Sequence, residues 1–291
     1  MSKTILVTGA TGNIASLVIP DLIKNGMNVR AMLRDVSKGE ALKEQGAEVV
    51  EGDFDDKQKL GNNLEGADSV LAITPPNPNA TSQGSNILNA AKEAGVSFYL
   101  RISALGAAAD APTDNGRLHI QSDEELMNSG IAYTILRPHF FMQNMFASVD
   151  SIKNEGKFYM GMGEGKLGMI DVRDIADCCV SILTNGDHKN KIYTPTGPES
   201  IPFSKAAEII GSTIGKEVNY VPVPLEAVRK AILDMGWGEW GAQIMVDYSN
   251  AYASGWGDFT TNDVETITGK MARSFRQFVD DVFSPALVSW S

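Results

Sequence analysis

A glycine-rich turn near the start of the chain has the residue types that hold a phosphate group. It reads Thr8-Gly9-Ala10-Thr11-Gly12-Asn13-Ile14-Ala15 and lies between an apolar run and a helical pattern. Gly9 permits a tight turn, Gly12 lets the backbone approach a pyrophosphate, and the start of a helix supplies free N–H groups. The turn predicts a dinucleotide site, with a purely structural turn as the alternative. The residues expected to contact the cofactor here are Gly9, Thr11, Gly12, Asn13 and Ile14.

A basic pair after the second apolar run indicates which dinucleotide would bind. An acidic residue at this point binds the ribose 2′-hydroxyl of NAD. The chain instead has Leu33-Arg34-Asp35-Val36-Ser37-Lys38. Arg34 and Lys38 can clamp a 2′-phosphate, and Ser37 can donate a hydrogen bond to it. We therefore expect NADP(H) to be favoured over NAD(H); the alternatives are two solvated charges, or an Asp35 that serves a ribose hydroxyl.

These residues need elements that position them, and strand and helix patterns alternate from residue 4 to residue 137. Apolar runs predict strands at 4–7, 28–33, 48–50, 69–74, 97–102 and 132–136. Helical spacing predicts helices at 14–23, 37–45, 57–64 and 82–94, and the end of a further helix over 123–129. This alternation is typical of parallel strands joined by right-handed crossovers, so the predicted fold is α/β, a Rossmann-type doubly wound parallel sheet.

The second half of the chain has a looser pattern. Gly161, Gly163, Gly165 and Gly168 indicate a loop. A helix at 172–183 and a strand at 191–194 are expected to return to the sheet, whereas the stretch from about Phe203 is mostly helical. We predict an NAD(P)-binding domain over 1–150, joined by 171–195. Residues 151–170 and 196–291 are predicted to form a smaller, mainly helical substrate or cap lobe.

Composition and charge exclude several function classes. The 291 residues include 25 basic and 36 acidic side chains, a net charge of −11, which disfavours binding to nucleic-acid backbones. No apolar run reaches the roughly 18 residues that a membrane span needs. The two cysteines are adjacent, and the three histidines are dispersed, so we expect neither a disulfide framework nor a metal site. The first residues are too short for a signal-peptide core, and a cytoplasmic location is expected.

Several segments together resemble the NmrA-like branch of the atypical short-chain dehydrogenase/reductases. Besides the glycine turn, the resemblance is carried by Val29-Arg30-Ala31-Met32-Leu33-Arg34, Gly52-Asp53-Phe54, Leu136-Arg137-Pro138-His139-Phe140-Phe141-Met142-Gln143-Asn144, Asp171-Val172-Arg173-Asp174-Ile175-Ala176, Tyr193-Thr194-Pro195-Thr196-Gly197-Pro198 and Thr268-Gly269-Lys270. It covers nearly the whole chain and is strongest towards members that reduce quinones, dyes or similar conjugated compounds.

The resemblance implies further contacts for the cofactor and the substrate. It puts Asp53 and Phe54 near the adenine. It puts Ile73, Thr74 and Pro75 along the nicotinamide ribose, and Pro138, Phe140 and Asn144 beside the nicotinamide ring. The apolar run around Phe141 and Met145 is either core packing or the floor of a substrate pocket. Trp237 of the cap lobe is a candidate to stack on a flat substrate, with ordinary packing as the alternative.

The proton must come from a different group than in most of the superfamily, because the Tyr-x-x-x-Lys pair does not occur in the sequence. Its absence disfavours sugar-nucleotide epimerase chemistry. Three candidates remain by resemblance. Ser103 stands where the superfamily has its serine and is expected to contact the cofactor as well. His119 stands where some relatives have a catalytic lysine, and it is expected either to donate a proton or to form a hydrogen bond to a substrate carbonyl. His139 follows Pro138 and is also a candidate for the substrate pocket. Each of them also has a plain structural interpretation.

The predicted function is an NADPH-dependent oxidoreductase that transfers a hydride to a conjugated small molecule such as a quinone, enone or dye. A quinone-like acceptor needs little acid catalysis because its developing charge is delocalised, which suits a chain without the Tyr–Lys pair. The alternatives are a non-enzymatic NADP(H) sensor that binds a partner protein, and a reductase or isomerase of a biosynthetic pathway. We expect a small-molecule substrate, no nucleic-acid or membrane partner, and a homodimer as one possible assembly.

Overall fold

The computed structural model describes residues 2–288, and its main feature is a parallel β-sheet of seven strands. The strand bounds are β1 (Thr4–Val7), β2 (Asn28–Leu33), β3 (Glu48–Glu51), β4 (Ser69–Ala72), β5 (Phe98–Ile102), β6 (Ala132–Leu136), β7 (Lys157–Met160), β8 (Lys166–Leu167), β9 (Lys191–Tyr193), β10 (Ile201–Pro202) and β11 (Asn219–Pro222). The sheet has the order β3-β2-β1-β4-β5-β6-β9, and all its neighbouring strands are parallel. This order confirms the predicted Rossmann-type fold.

Helices follow the strands along the chain. The α-helix bounds are α1 (Ala15–Lys24), α2 (Glu40–Glu44), α3 (Lys57–Leu64), α4 (Ala80–Glu93), α5 (Asp114–Met127), α6 (Val149–Glu155), α7 (Val172–Asn185), α8 (Phe203–Ile214), α9 (Leu225–Asp234), α10 (Gly238–Ala253), α11 (Asp263–Thr268), α12 (Phe275–Phe278) and α13 (Ser284–Val288). Short 3₁₀ helices span Val36–Gly39 and Met142–Ser148, and a π-helical turn spans Val279–Phe283. No helix among residues 2–288 combines the length and the apolar character that crossing a bilayer requires.

The sequence of the first β–α unit explains why it forms. The side chains of β1 are buried from Ile5 to Val7, as expected for a central strand covered on both faces. The buried face of α1 consists of Ala15, Val18, Ile19 and Leu22, whose spacing places them on one side of a helix. Strand and helix therefore fix the glycine turn between them.

The described chain divides into two compact units. Unit 1 contains the residues up to Ala109, Gly116–Arg137 and Ile175–Tyr193, and it holds the seven-stranded sheet. Unit 2 contains Asp110–Asn115, Pro138–Asp174 and the residues from Thr194 onward. Two small sheets belong to unit 2, a parallel pair of β7 with β11 and an antiparallel pair of β8 with β10. Its mainly helical composition confirms the predicted helical C-terminal region.

Three local predictions need correction. The helix predicted over 123–129 is α5, and it begins at Asp114. Its first part has no apolar stripe that the sequence pattern could show, because its buried residues are Gly116, Ser122, Asp123 and Leu126. The helix predicted at 37–45 is a 3₁₀ helix followed by the short α2. The glycine-rich loop from 161 to 168 contains β8.

Candidate functional site

The glycine turn lies where the strand order of unit 1 reverses, between β1 and β4. Thr8 joins these strands, since its Oγ1 accepts the Ile73 N–H at 2.8 Å and donates to the Ile73 carbonyl at 3.0 Å. Gly9 has φ +60°, and a Cβ there would lie 3.3 Å from the Ile73 oxygen, so a side chain would meet both strain and crowding. In Rossmann-type sheets the ligand binds in the crevice at this reversal.

The backbone of the turn provides hydrogen-bond donors. The Gly12 N–H is used within the turn, on the Gly9 carbonyl at 2.8 Å. The backbone N–H groups of Thr11, Asn13 and Ile14 donate to no acceptor within residues 2–288. They lie at and just before the start of α1, where the helix dipole favours an anion. The turn can therefore hold the phosphates of a dinucleotide.

One of the three side chains predicted to bind the 2′-phosphate, that of Ser37, already has a hydrogen-bond partner. Arg34, Ser37 and Lys38 are exposed beyond the end of β2. However, the Ser37 hydroxyl donates to Asp35 Oδ1 at 2.6 Å, and the Ser37 N–H donates to the same oxygen at 3.0 Å. These hydrogen bonds, together with the charge of Lys38, lower the pKa of Asp35. The hydroxyl expected to bind a phosphate thus binds a neighbouring carboxylate in this structure.

The residues assigned by resemblance to the adenine and the ribose follow β3 and β4. Asp53 Oδ1 accepts the Asp55 N–H at 2.9 Å and so fixes the turn after β3. The Phe54 ring is buried in the core of unit 1, and the Phe54 carbonyl accepts a hydrogen bond from Asn86 Nδ2 at 3.0 Å. Ile73, Thr74 and Pro75 are half-buried directly after β4. Their contacts with a cofactor remain predictions.

A buried polar cluster surrounds Ser103 at the end of β5. The centre of the cluster is Asp123 of α5, which has no exposed side-chain surface. Asp123 accepts from Ser103 Oγ at 2.8 Å, from Arg101 Nε at 2.8 Å and from Arg137 Nε at 3.0 Å. Because the Ser103 hydroxyl proton points at this carboxylate, Ser103 can accept a hydrogen bond from a ligand but does not offer it a proton.

His119 contacts the same cluster. Its Nδ1 is 3.3 Å from Arg101 Nη2. Burial, followed by the charges of Arg101 and Arg137, lowers the pKa of His119 from 6.5 to about 3. The ring is therefore neutral near pH 7, which favours the predicted hydrogen bond to a substrate carbonyl over proton donation.

Arg101, Asp123 and Arg137 are not among the site residues predicted from the sequence. One signal was present, since Arg101 is a charge inside the otherwise apolar strand 97–102 and buried arginine is rarely unpaired. Asp123 also follows His119 by four residues, which puts the two side chains on one helix face. Only the structure shows that Arg137 joins them.

His139 lies within unit 2 and is almost fully buried. Its Nδ1 accepts the Phe140 N–H at 2.7 Å, and its Nε2 donates to the Gly257 carbonyl at 3.0 Å. The ring packs against Tyr252 and Phe259, with centroids 5.7 and 5.3 Å away. Burial lowers the pKa of His139 to about 4. Since both ring nitrogens are occupied, the geometry favours a structural role over the suggested proton donation.

The remaining candidates of unit 2 differ in exposure. Pro138 and Met145 are buried, so Met145 belongs to the core rather than to a pocket floor. Phe140 and Phe141 are half-buried, and Asn144 is exposed. Trp237 precedes α10 and is 62% exposed, so the packing alternative is not observed, and stacking of this ring on a substrate stays a prediction. Within residues 2–288 no group of histidine, cysteine and carboxylate side chains could hold a metal ion.

Comparison with known proteins places this geometry in context. The sequence model described as the NmrA-like family matches residues 1–254. The NAD(P)H azoreductase of Xenophilus azovorans is 35% identical over 277 residues, which cover 94% of this chain and 96% of the relative.

Two solved structures are similar over almost the full length. The NADPH-dependent quinone oxidoreductase of Escherichia coli in complex with NADPH has a TM-score of 0.87 at 27% identity, covering 96% of this chain and 99% of that one. The triphenylmethane reductase of Citrobacter sp. in complex with NADP(H) has a TM-score of 0.83 at 26% identity, covering 94% and 98%.

Proposed function

The chain belongs to the NmrA-like family, and from that premise we propose that it is an NADPH-dependent reductase of quinone-like or dye-like small molecules. The observation that carries the proposal is the position of two groups of residues in unit 1. The glycine turn follows β1, and the polar cluster with Ser103 and Arg137 follows β5 and β6. Because these strands are parallel, their carboxyl ends share one edge of the sheet, which is where such sheets bind ligands.

The residues at this edge fit a nicotinamide dinucleotide. The free N–H groups of Thr11, Asn13 and Ile14 would hold the pyrophosphate, and the missing side chain of Gly12 would let the backbone approach it. When bound, the nicotinamide supplies the hydride. We assign the phosphorylated form as the preferred cofactor because Arg34 and Lys38 add two positive charges beyond β2.

The residues around Ser103 fit a conjugated acceptor. The described chain has no tyrosine–lysine pair to deliver a proton, and the Ser103 hydroxyl is committed to Asp123. Hydride addition to a quinone gives a delocalised anion that water can protonate, and hydride addition to a cationic dye neutralises its charge, so that no proton is needed. A simple ketone would place the full charge on one oxygen and would need a positioned proton donor. The names of three similar proteins, an NAD(P)H azoreductase, a quinone oxidoreductase and a triphenylmethane reductase, support the same class of acceptor.

We further propose that residues 1–150 and 171–195 bind the cofactor, and that residues 151–170 and 196–291 select the substrate. The half-buried rings of Phe140 and Phe141, together with the exposed Asn144, are the unit 2 candidates for contact with nicotinamide or acceptor. Their assignment rests on the resemblance alone.

The test is NADPH oxidation with a panel of quinones, azo dyes and triphenylmethane dyes, repeated with NADH. We expect turnover with several acceptors and a higher kcat/KM for NADPH. Arg34→Ala should weaken NADPH binding selectively, whereas Lys24→Ala, at the opposite end of α1, should leave both cofactors unaffected. Binding of NADPH without oxidation by any acceptor would refute the proposed function, and equal loss of both cofactors in Arg34→Ala would refute the clamp.

A further inference from the structure

The contact between His119 and Arg101 fixes where the imidazole carries its proton. Arg101 Nη2 is 3.3 Å from His119 Nδ1, and a guanidinium group has donors but no acceptor. Nδ1 must therefore be the acceptor, so the proton of the neutral ring lies on Nε2. Arg101 is itself held in place, because it is only 3% exposed and its Nε donates to Asp123 Oδ1 at 2.8 Å.

The charges around the ring keep it neutral. Arg101 on β5 and Arg137 after β6 carry two positive charges towards His119, and Asp123 on its own helix provides one negative charge. Burial of the ring, followed by the charges of Arg101 and Arg137, opposes its protonation and lowers the pKa of His119. The lowered pKa keeps the ring neutral at neutral pH.

The other nitrogen of the ring is available. Nε2 makes no hydrogen bond to any residue between 2 and 288, and it is not one of the buried side-chain atoms without a partner, which are Ser122 Oγ and Lys153 Nζ. It therefore reaches solvent from a half-buried ring. An N–H group in this state can donate to a ligand at the edge of the sheet formed by the ends of β5 and β6.

We propose that Arg101 is a positioning residue that presents His119 as a neutral Nε2–H donor to the oxygen or nitrogen of the acceptor that gains negative charge during reduction. The inference rests on the proposed function and names the group that stabilises its product. A fixed neutral imidazole can stabilise a developing anion by hydrogen bonding without transferring a proton. For a quinone, addition of one hydride gives the hydroquinone monoanion, and a proton from water completes the product.

A first experiment observes the ring without requiring turnover. The protein has three histidines, so ¹⁵N-labelled histidine gives a spectrum of three rings, and the spectrum of His119→Gln identifies the ring of interest. We expect a proton on Nε2, none on Nδ1, and no titration from pH 5.5 to 8. In Arg101→Met the pKa should rise towards its ordinary value and the tautomers should mix. A wild-type ring that titrates near pH 6.5, or that carries its proton on Nδ1, would overturn the proposal even if Arg101→Met fails to fold.

A second experiment measures the donor's effect on the reaction. Loss of one such donor lowers kcat by about 10²-fold in comparable sites. We expect His119→Phe to lower kcat by about this factor with unchanged NADPH affinity, and His119→Gln, whose amide also donates, to recover part of the loss. His188→Gln is the matched control, since His188 contacts Tyr193 away from the cluster.

The two proposals fail in different ways. If His119→Phe reduces quinones as fast as the wild-type protein does, the role of His119 is contradicted and the proposed function is left intact. A wild-type protein that reduces no acceptor would refute the proposed function, and the spectrum would still decide whether Arg101 fixes the tautomer.

Discussion

The substitution Asp123→Asn tests the buried polar cluster of unit 1. Asp123 is fully buried and accepts three hydrogen bonds, from Arg101, Arg137 and Ser103. An asparagine has nearly the same shape, but it removes the negative charge and replaces one acceptor oxygen with an NH₂ group. That group would face donors, and two arginines would lose their counter-ion.

The expected loss can be bounded in two ways. A hydrogen bond to a charged group contributes about 1.5–3 kcal/mol, so three independent bonds would give roughly 5–9 kcal/mol. The bonds share one carboxylate and are not additive, and removal of one partner from a buried ion pair typically costs about 3–5 kcal/mol. We therefore expect Asp123→Asn to lower the free energy of unfolding by about 4 kcal/mol, a large part of the roughly 5–15 kcal/mol of a typical protein.

The assay is equilibrium urea unfolding followed by far-UV circular dichroism. Glu124→Gln is the matched control, because the neighbouring carboxylate on α5 is exposed and its loss should change stability by less than about 0.5 kcal/mol. A decrease below about 1 kcal/mol in Asp123→Asn, close to that of the control, would show that the cluster does not depend on this charge.

Four further outcomes are expected. Gly257→Ala should lower stability by about 1–3 kcal/mol in thermal unfolding, because the added Cβ would lie 2.6 Å from the Tyr252 ring. Gly61→Ala, in the open middle of α3, should instead raise stability by up to about 1 kcal/mol in the same assay. Asp35→Asn should increase the preference for NADPH over NADH a few-fold in binding titrations, since it removes a negative charge beside the basic pair. Burial lowers the pKa of His139 from 6.5 to about 4, so only the unfolded chain binds a proton at this residue as the pH falls through that range. The free energy of unfolding should therefore decrease by on the order of 3 kcal/mol between these pH values, as measured by urea unfolding. This decrease should disappear in His139→Gln.

Much of unit 1 could be predicted from the sequence because its signals are local. Strands such as β1 and β5 are short apolar runs, and α1 has a regular apolar face. The first part of helix α5 was not predicted, because its buried positions include Ser122 and Asp123, whose burial depends on partners from other elements. Strand β7 was missed because it is a single short strand paired with β11, more than 50 residues later.

The candidate site also has features that the sequence shows and features that only the structure shows. The glycine turn has a fixed spacing and could be found from the sequence, whereas the pairing of Ser37 with Asp35 could not, because a hydroxyl that serves a phosphate looks the same in a sequence as one that serves a carboxylate. His119 and His139 looked equivalent as proton donors. The structure separates them, since His139 uses both ring nitrogens inside unit 2 and His119 keeps one free.

The most direct test of the central claim is an anaerobic single-turnover experiment. The protein is loaded with one equivalent of NADPH, mixed with excess quinone, and followed by the loss of the reduced-nicotinamide absorbance. We expect one equivalent to be oxidised much faster than in the absence of protein, and more slowly when the transferred hydrogen is deuterium. Bound NADPH that stays reduced in the presence of every quinone and dye tested would contradict the claim that this chain is a reductase.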